Sequence, residues 1–158
     1  MKTLRLRLAL VCVAAGLCCA GISRPLAAAC FEDAAARYGV SPALLRAIAS
    51  VESGMQADAV GRSPNGTSDF GLMQINSSWL QSLGRYGVTS ERLLRDPCLN
   101  VHVGAWIMAS AFARYGHGWE AVGSYNVGCR SLSREECVRR RYAYAWRVYR
   151  ALRREDRP

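Results

Sequence analysis

The sequence predicts a mainly α-helical domain with at most a small β-hairpin. Three observations carry that reading. Apolar residues recur at helical spacing behind recognisable capping residues. The stretch Val101 to Phe112 is apolar almost all round, which marks a central buried helix. The segment Ala57 to Asp69 is crowded with turn formers, so it has room for a hairpin but for no long strand.

Taken in order, residues 1–29 read as a secretory signal peptide and residues 30–158 as a single domain. Lys2, Arg5 and Arg7 give a basic start. Leu8 to Cys19 is an apolar run of twelve residues, too short to span a bilayer. Ala27-Ala28-Ala29 offers a small-residue cleavage site before Cys30, with cleavage after Ala20 as a competitor. A retained anchor and lipidation at Cys30 are the rival readings.

Ser41-Pro42 reads as an N-cap with proline in the first helical position. Leu44, Leu45, Ile48 and Val51 follow at helical spacing. Glu52 then falls near the helix end, with Gly54 as the stop. Gly61, Ser63-Pro64-Asn65-Gly66 and Ser68 make the next segment a loop. Gly71 to Leu83 reads as a short helix. Asp96-Pro97 opens the central helix, which runs from Cys98 to about Tyr115. A short helix from Trp119 to Tyr125 precedes Gly128. The last helix, Glu135 to Arg153, places Val138, Tyr142, Ala145, Trp146 and Tyr149 on one face.

Loss of the signal leaves four of seven cysteines: Cys30, Cys98, Cys129 and Cys137. An even number in an exported chain implies disulfides. Three pairings are possible. Cys30–Cys98 with Cys129–Cys137 is favoured, because the long loop would tie the first helix to the middle of the domain. A zinc site is the rival, without CxxC spacing and with only His102 and His117 to help.

From Cys30 onward there are 17 arginines and no lysine against 12 acidic residues, about +5 by side chains. Ten of the arginines lie between Arg130 and Arg157. Export argues against nucleic acid as their partner. A solvated helix face accounts for them, and contact with an anionic cell wall is the functional alternative.

Glu52 follows a buried helical face and precedes a polar loop. Partial burial disfavours the charged carboxylate and raises its pKa, which is what a general acid needs. An ordinary exposed glutamate at a helix end is the competing reading. Asp69 lies seventeen residues later, across the turn-rich loop. Two carboxylates flanking one cleft is the usual glycosidase arrangement. A turn residue that accepts backbone N–H bonds is the alternative for Asp69.

The motifs narrow these choices. Val51-Glu52-Ser53 and Ser68-Asp69-Phe70-Gly71-Leu72-Met73-Gln74-Ile75-Asn76-Ser77 resemble the lysozyme-like lytic transglycosylases. Asp96-Pro97-Cys98-Leu99-Asn100-Val101, Gly104-Ala105 and Ala121-Val122-Gly123-Ser124-Tyr125-Asn126-Val127-Gly128 complete the resemblance in order. It extends from Cys30 to about Gly128. Within the family the chain is most similar to the small invasion-associated enzymes of type III secretion, which also begin with Cys-Phe and carry Asp-Pro-Cys. Similar small enzymes serve type IV secretion and pili. Ser124 stands where the family usually has alanine before Tyr-Asn.

The resemblance implies a lysozyme-like α domain of the goose-type and transglycosylase kind. It implies that Glu52 protonates the glycosidic oxygen between N-acetylmuramic acid and N-acetylglucosamine. Glu52 then takes a proton from the muramic 6-hydroxyl as that oxygen attacks C1, leaving a 1,6-anhydro end. The substrate's N-acetyl group assists. Ser53 would support Glu52 or the sugar, and Met73 and Gln74 would line the cleft. Tyr125 would hydrogen-bond near Glu52 and help set its pKa. Asn126 would anchor its turn, with Asp69 part of the substrate-binding set.

The Glu52-to-Asp69 stretch is also similar to animal lysozyme, in which the second carboxylate is a nucleophile or electrostatic stabiliser. A hydrolase using Glu52 and Asp69 is therefore an alternative. A non-catalytic peptidoglycan-binding secretion component is another. No metal or organic cofactor is implied. The expected partners are peptidoglycan glycan strands and a secretion-system component, with no nucleic acid and no stable membrane insertion after signal cleavage. The expected state is a periplasmic monomer.

Overall fold

The computed structural model describes residues 26–63 and 65–155. The expected signal peptide, apart from its last few residues, and Arg157 lie outside them.

Among the described residues the elements are helices α1 (Leu26–Tyr38) and α2 (Pro42–Ser53), then strands β1 (Val60–Arg62), β2 (Ser68–Phe70) and β3 (Ile75–Asn76). Helices α3 (Leu80–Leu83), α4 (Ser90–Arg95), α5 (Pro97–Tyr115), α6 (Trp119–Asn126) and α7 (Arg134–Glu155) follow. Short 3₁₀ turns at Ser77–Trp79 and Gly84–Tyr86 flank α3. No helix among the described residues is long and apolar enough to cross a membrane.

The helix ends obey local chemistry. Ser41 Oγ accepts the Leu44 N–H at 3.4 Å, and Pro42 begins α2. Gly54 ends that helix in the left-handed region at φ 62°, where a side chain would be strained. Asp96 caps α5 by accepting the Leu99 N–H at 2.9 Å.

Helix α5 is the central element, with α1 on one flank and α6 on another. Helix α7 packs across α2 and α6. Phe31, Leu45, Ile48, Val101, Met108 and Val148 are fully buried where these helices meet. Burial of each such side chain is worth about 2 kcal/mol. Cys30 is bonded to Cys98, joining α1 to α5, and Cys129 is bonded to Cys137 ahead of and within α7. The four cysteines are thus not available as zinc ligands.

Two expectations need correction. Gly71 to Leu83 is not one helix. Gly71 lies at φ 74° and Gln74 at φ 46°, so Gly71-Leu72-Met73-Gln74 forms a tight turn between β2 and β3. The result is a three-stranded antiparallel sheet, in order β1-β2-β3, rather than a lone hairpin. Helical structure resumes at Ser77.

The buried face of α7 also differs from the expected one. Val138, Tyr142 and Trp146 are exposed, at 43%, 59% and 58%. Ala145 is buried as expected, but its buried neighbours on the helix are Cys137, Arg141, Tyr144, Val148 and Ala151. The reason is Arg141. Its guanidinium donates to the Val127 carbonyl, the Glu120 carboxylate and the Tyr115 hydroxyl, so a cation sits in the interface with its donors engaged. Gly123 on α6 permits this approach, since a Cβ there would lie 2.6 Å from Arg141.

Candidate active site

Glu52 sits in the last turn of α2 and faces a cavity of about 510 Å³. Asp69, Gln74, Tyr125 and Asn126 line the same cavity. Segments far apart in sequence therefore converge: the end of α2, the small sheet and the end of α6.

The carboxyl of Glu52 accepts a 2.5 Å hydrogen bond from the Tyr144 hydroxyl of α7. Burial pushes the Glu52 pKa up, with the negative charge of Asp69 adding to the rise. The Tyr144 hydrogen bond opposes it most, followed by the charge of Arg147 and a hydrogen bond from Asn126. Burial prevails, so the pKa lies above the usual 4.5. Tyr144 is itself held well above its usual pKa, by burial and then by the Glu52 charge. It remains a proton donor to the carboxylate through the neutral range.

Asp69 is the middle residue of β2, paired with Gly61 on one side and Asn76 on the other. Its Oδ1 accepts the Asn76 amide at 2.8 Å, and its Oδ2 accepts the Ser63 hydroxyl at 3.2 Å. Asp69 is thus held by two polar side chains of the loop and sheet, whereas the hydrogen-bond partner of Glu52 is the buried Tyr144 of α7. The two carboxylates have different environments across one cavity.

The Gly-Leu-Met-Gln turn is held from below by Asn100. That buried amide donates to the carbonyls of Phe70 at 2.7 Å and Leu93 at 3.1 Å, and accepts the Met73 N–H at 2.8 Å. A Cβ at position 71 would lie 2.3 Å from its Nδ2, so glycine is required there on space as well as on φ. Ser53 Oγ donates to the Leu72 carbonyl at 2.8 Å, fastening the end of α2 to the turn.

Several expected roles change on this geometry. Met73 does not line the cleft with its side chain, which is fully buried against Gly104. Its carbonyl accepts the Tyr125 hydroxyl at 2.9 Å, so the phenol partner of Glu52 is Tyr144 and not Tyr125. Tyr125 still feels Glu52. Burial first, and then that charge, raise the Tyr125 pKa well above its usual value. Gln74 lines the cavity, but its amide N–H₂ is engaged by the Ala59 and Gly71 carbonyls. Asn126, at the end of α6, lines the cavity beside Glu52, and its amide works against the rise of the Glu52 pKa. Tyr144, Arg147 and Asn100 were not selected from the sequence. A signal for Tyr144 existed, because Tyr144, Val148 and Ala151 recur at i, i+4, i+7.

Among the described residues, no three His, Cys, Asp or Glu side chains are grouped to hold a metal ion. The chemistry available at the cavity is that of one carboxyl poised for proton transfer, a second hydrogen-bonded to Ser63 and Asn76, and a frame of amide and hydroxyl groups.

The chain matches the Transglycosylase SLT domain family over residues 29–145. It is 45% identical over 124 residues to X polypeptide of Escherichia coli, covering 78% of this chain and 72% of that one. It is 41% identical over 124 residues to Invasion protein IagB of Salmonella typhimurium, with 78% and 76% coverage. It is 40% identical over 121 residues to Protein IpgF of Shigella flexneri, covering 77% of each. Among solved structures it superposes on the lytic transglycosylase Slt of Pseudomonas aeruginosa, in an inactive glutamate-to-glutamine mutant, with a TM-score of 0.60 at 20% identity. That match covers 78% of this chain but 23% of the larger enzyme, and it shows a shared lysozyme-like fold. The chain belongs to the transglycosylase SLT domain family, as a lytic transglycosylase domain.

Proposed function

We propose that this protein cleaves the β-1,4 bond between N-acetylmuramic acid and N-acetylglucosamine in peptidoglycan without consuming water. The observation that carries the reading is the Glu52 carboxyl. It faces the cavity, its pKa is raised, and Tyr144 fixes one of its oxygens. Glu52 starts protonated and gives its proton to the glycosidic oxygen as the C1–O bond breaks. The muramic 6-hydroxyl oxygen then bonds to C1 and releases its proton to the Glu52 carboxylate. The products are a 1,6-anhydro end and a free 4-hydroxyl, and the carboxyl is restored. The N-acetyl group of the substrate stabilises the positive charge developing at C1. Ser53, Tyr125 and Asn126 hold the frame, and Asp69 and Gln74 form the cleft wall.

The action takes place in the periplasm after removal of residues 1–29, and opens the wall locally for a secretion machine. Support for that role comes from similarity to a protein named for invasion. Mass spectrometry of digested sacculi tests the chemistry, with anhydromuramic ends expected and abolished in Glu52→Gln. Deletion of the gene tests the role through secretion.

A second reading has one observation in its favour. Asp69 faces the same cavity as Glu52. A hydrolase using both carboxylates would yield reducing ends and would be disabled by Asp69→Asn. For a non-catalytic wall-binding component, Glu52→Gln would change neither digestion nor secretion.

A further inference from the structure

The Cys129–Cys137 bridge closes a loop that lies outside the family motifs and that the reaction above does not use. The loop stands between two arms leading from the Glu52 cavity. On one side, Cys129, Arg130 and Ser131 wall a cavity of about 980 Å³ that extends to Arg114 on α5. On the other, Ser131 and Leu132 border a cavity of about 480 Å³ containing Arg140 and Arg147. The first arm shares Ser124, Tyr125 and Gly128 with the Glu52 cavity, and the second shares Asn126 and Gly128.

Charge divides sharply along this groove. The carboxylates Glu52 and Asp69 are in the centre, and every charged residue lining the arms is an arginine. Some of these cations already have partners: Arg141 pairs with Glu120 and Arg140 with Glu136. Arg114 lies over the Tyr115 ring but has no carboxylate partner among the described residues. Arg130 makes neither a hydrogen bond nor an ion pair with them. Two guanidinium groups without a carboxylate partner among the described residues thus line one cavity, one carried by α5 and the other by the bridged loop.

The loop is also fastened. Its bridge spans eight residues, and Arg141 holds the Val127 carbonyl at its base at 3.3 Å. Arg130, next to Cys129, is therefore held near the arm rather than swept through solvent. A short closed loop loses little further entropy when a ligand binds.

We propose that the bridged loop and Arg114 form a recognition site for the carboxylates of the peptide stem, with Arg130 as the loop's contact. This rests on the glycan-cleaving reading above. The N-acetyl sugars of the strand are neutral, whereas the stems attached to every muramic residue are acidic. A planar guanidinium matches a carboxylate with two parallel N–H···O bonds. A cavity of this size lies at the upper end of small-ligand sites, enough for a sugar together with part of its stem. The arm attracts stem carboxylates while the lining of the central cavity offers them no cation, which orients the strand across Glu52.

The test compares native sacculi with sacculi whose free carboxyls have been converted to amides by carbodiimide coupling. The proteins are wild type, Arg114→Gln/Arg130→Gln and Arg114→Lys/Arg130→Lys, and the readout is kcat/KM for release of anhydro-ended product. Wild type is expected to favour native sacculi by about tenfold, the value of charge-assisted hydrogen bonds to carboxylates. The Gln pair should bring that ratio close to one, and the Lys pair should restore part of it. An unchanged ratio in the Gln pair overturns the inference. So does an equal loss on amidase-stripped strands that keep only the lactyl carboxylate, because the ligand would then be the sugar acid. If wild type releases no anhydro product from native sacculi, it is the glycan-cleaving reading that fails.

Discussion

The hydroxyl of Tyr144 lies 2.5 Å from Oε1 of Glu52, across ninety-two positions of sequence. The bond favours the charged carboxylate, so it lowers a pKa that burial raises. Tyr144→Phe removes that stabilisation. The alkaline limb of the kcat/KM profile should move to higher pH. At the same time kcat should fall about tenfold, because the carboxyl loses the partner that fixes its direction. A pH–rate profile of anhydro-product release checks both. A limb that stays in place would mean that Tyr144 does not touch the titrating group.

Asp69 and Arg147 act on Glu52 through charge alone, and with opposite sign. Asp69→Asn removes a negative charge that raises the Glu52 pKa, so the alkaline limb should shift to lower pH. Arg147→Gln removes a positive charge that lowers it, so the limb should shift up. The two shifts in one buffer series test the placement. Retention of most activity in Asp69→Asn also excludes the two-carboxylate hydrolase.

The raised pKa of Glu52 has a consequence for stability. In the unfolded chain the group titrates near 4.5, and in the folded chain it titrates higher. The folded state holds the proton more tightly, so stability falls as pH rises through that window. Above the folded pKa the deficit is complete. Glu52→Gln should therefore raise the Tm at neutral pH and give no such gain below pH 4.5. Calorimetry at the two pH values separates this from a general packing effect, which would be present at both.

Asn100 satisfies three backbone groups at the floor of the site. Asn100→Ala should cost about 3 kcal/mol, because it strands buried polar groups. Gly71→Ala should be comparably harmful, since its Cβ would meet the Asn100 amide. Denaturant unfolding measures both, and a cost under about 1 kcal/mol would contradict the placement.

The two disulfides should differ in weight. Cys30–Cys98 spans 68 positions and Cys129–Cys137 spans 8. By loop-closure entropy their removal as paired serines should cost about 4 and about 2.5 kcal/mol. Unfolding of the two double variants gives the order directly.

Much of this was legible in the chain. Ser41-Pro42 and Gly54 bracket α2, and Asp96-Pro97 opens α5, because caps act within one turn of helix. The face of α7 was not legible. Its buried stripe of Cys137, Arg141, Tyr144, Val148 and Ala151 has an arginine in it. An arginine is an acceptable buried residue only once Tyr115, Glu120 and Val127 are in place around it, and those belong to other elements. The aromatic run Tyr142, Trp146 and Tyr149 therefore looked like the better core. The same misreading hid Tyr144 from the site. The tight turn at Gly71 was hidden differently: Leu72, Met73 and Ile75 are apolar enough to imitate a helix, while the left-handed φ of Gln74 has no residue signature.

The site is joined at backbone oxygens. Ser53 bonds the carbonyl of Leu72, Tyr125 that of Met73, and Arg141 that of Val127. A carbonyl is present whatever the side chain, but a hydroxyl or guanidinium is not. Substitution should therefore be asymmetric across each joint. As far as these bonds are concerned, positions 72, 73 and 127 are free to drift among residues that fit their space. Positions 53, 125 and 141 are not. A saturation library scored for cell-wall digestion would show positions 72, 73 and 127 limited only by the space around them, and positions 53, 125 and 141 limited also by the chemistry of their bond, a pattern of evolvability written into which partner supplies its side chain.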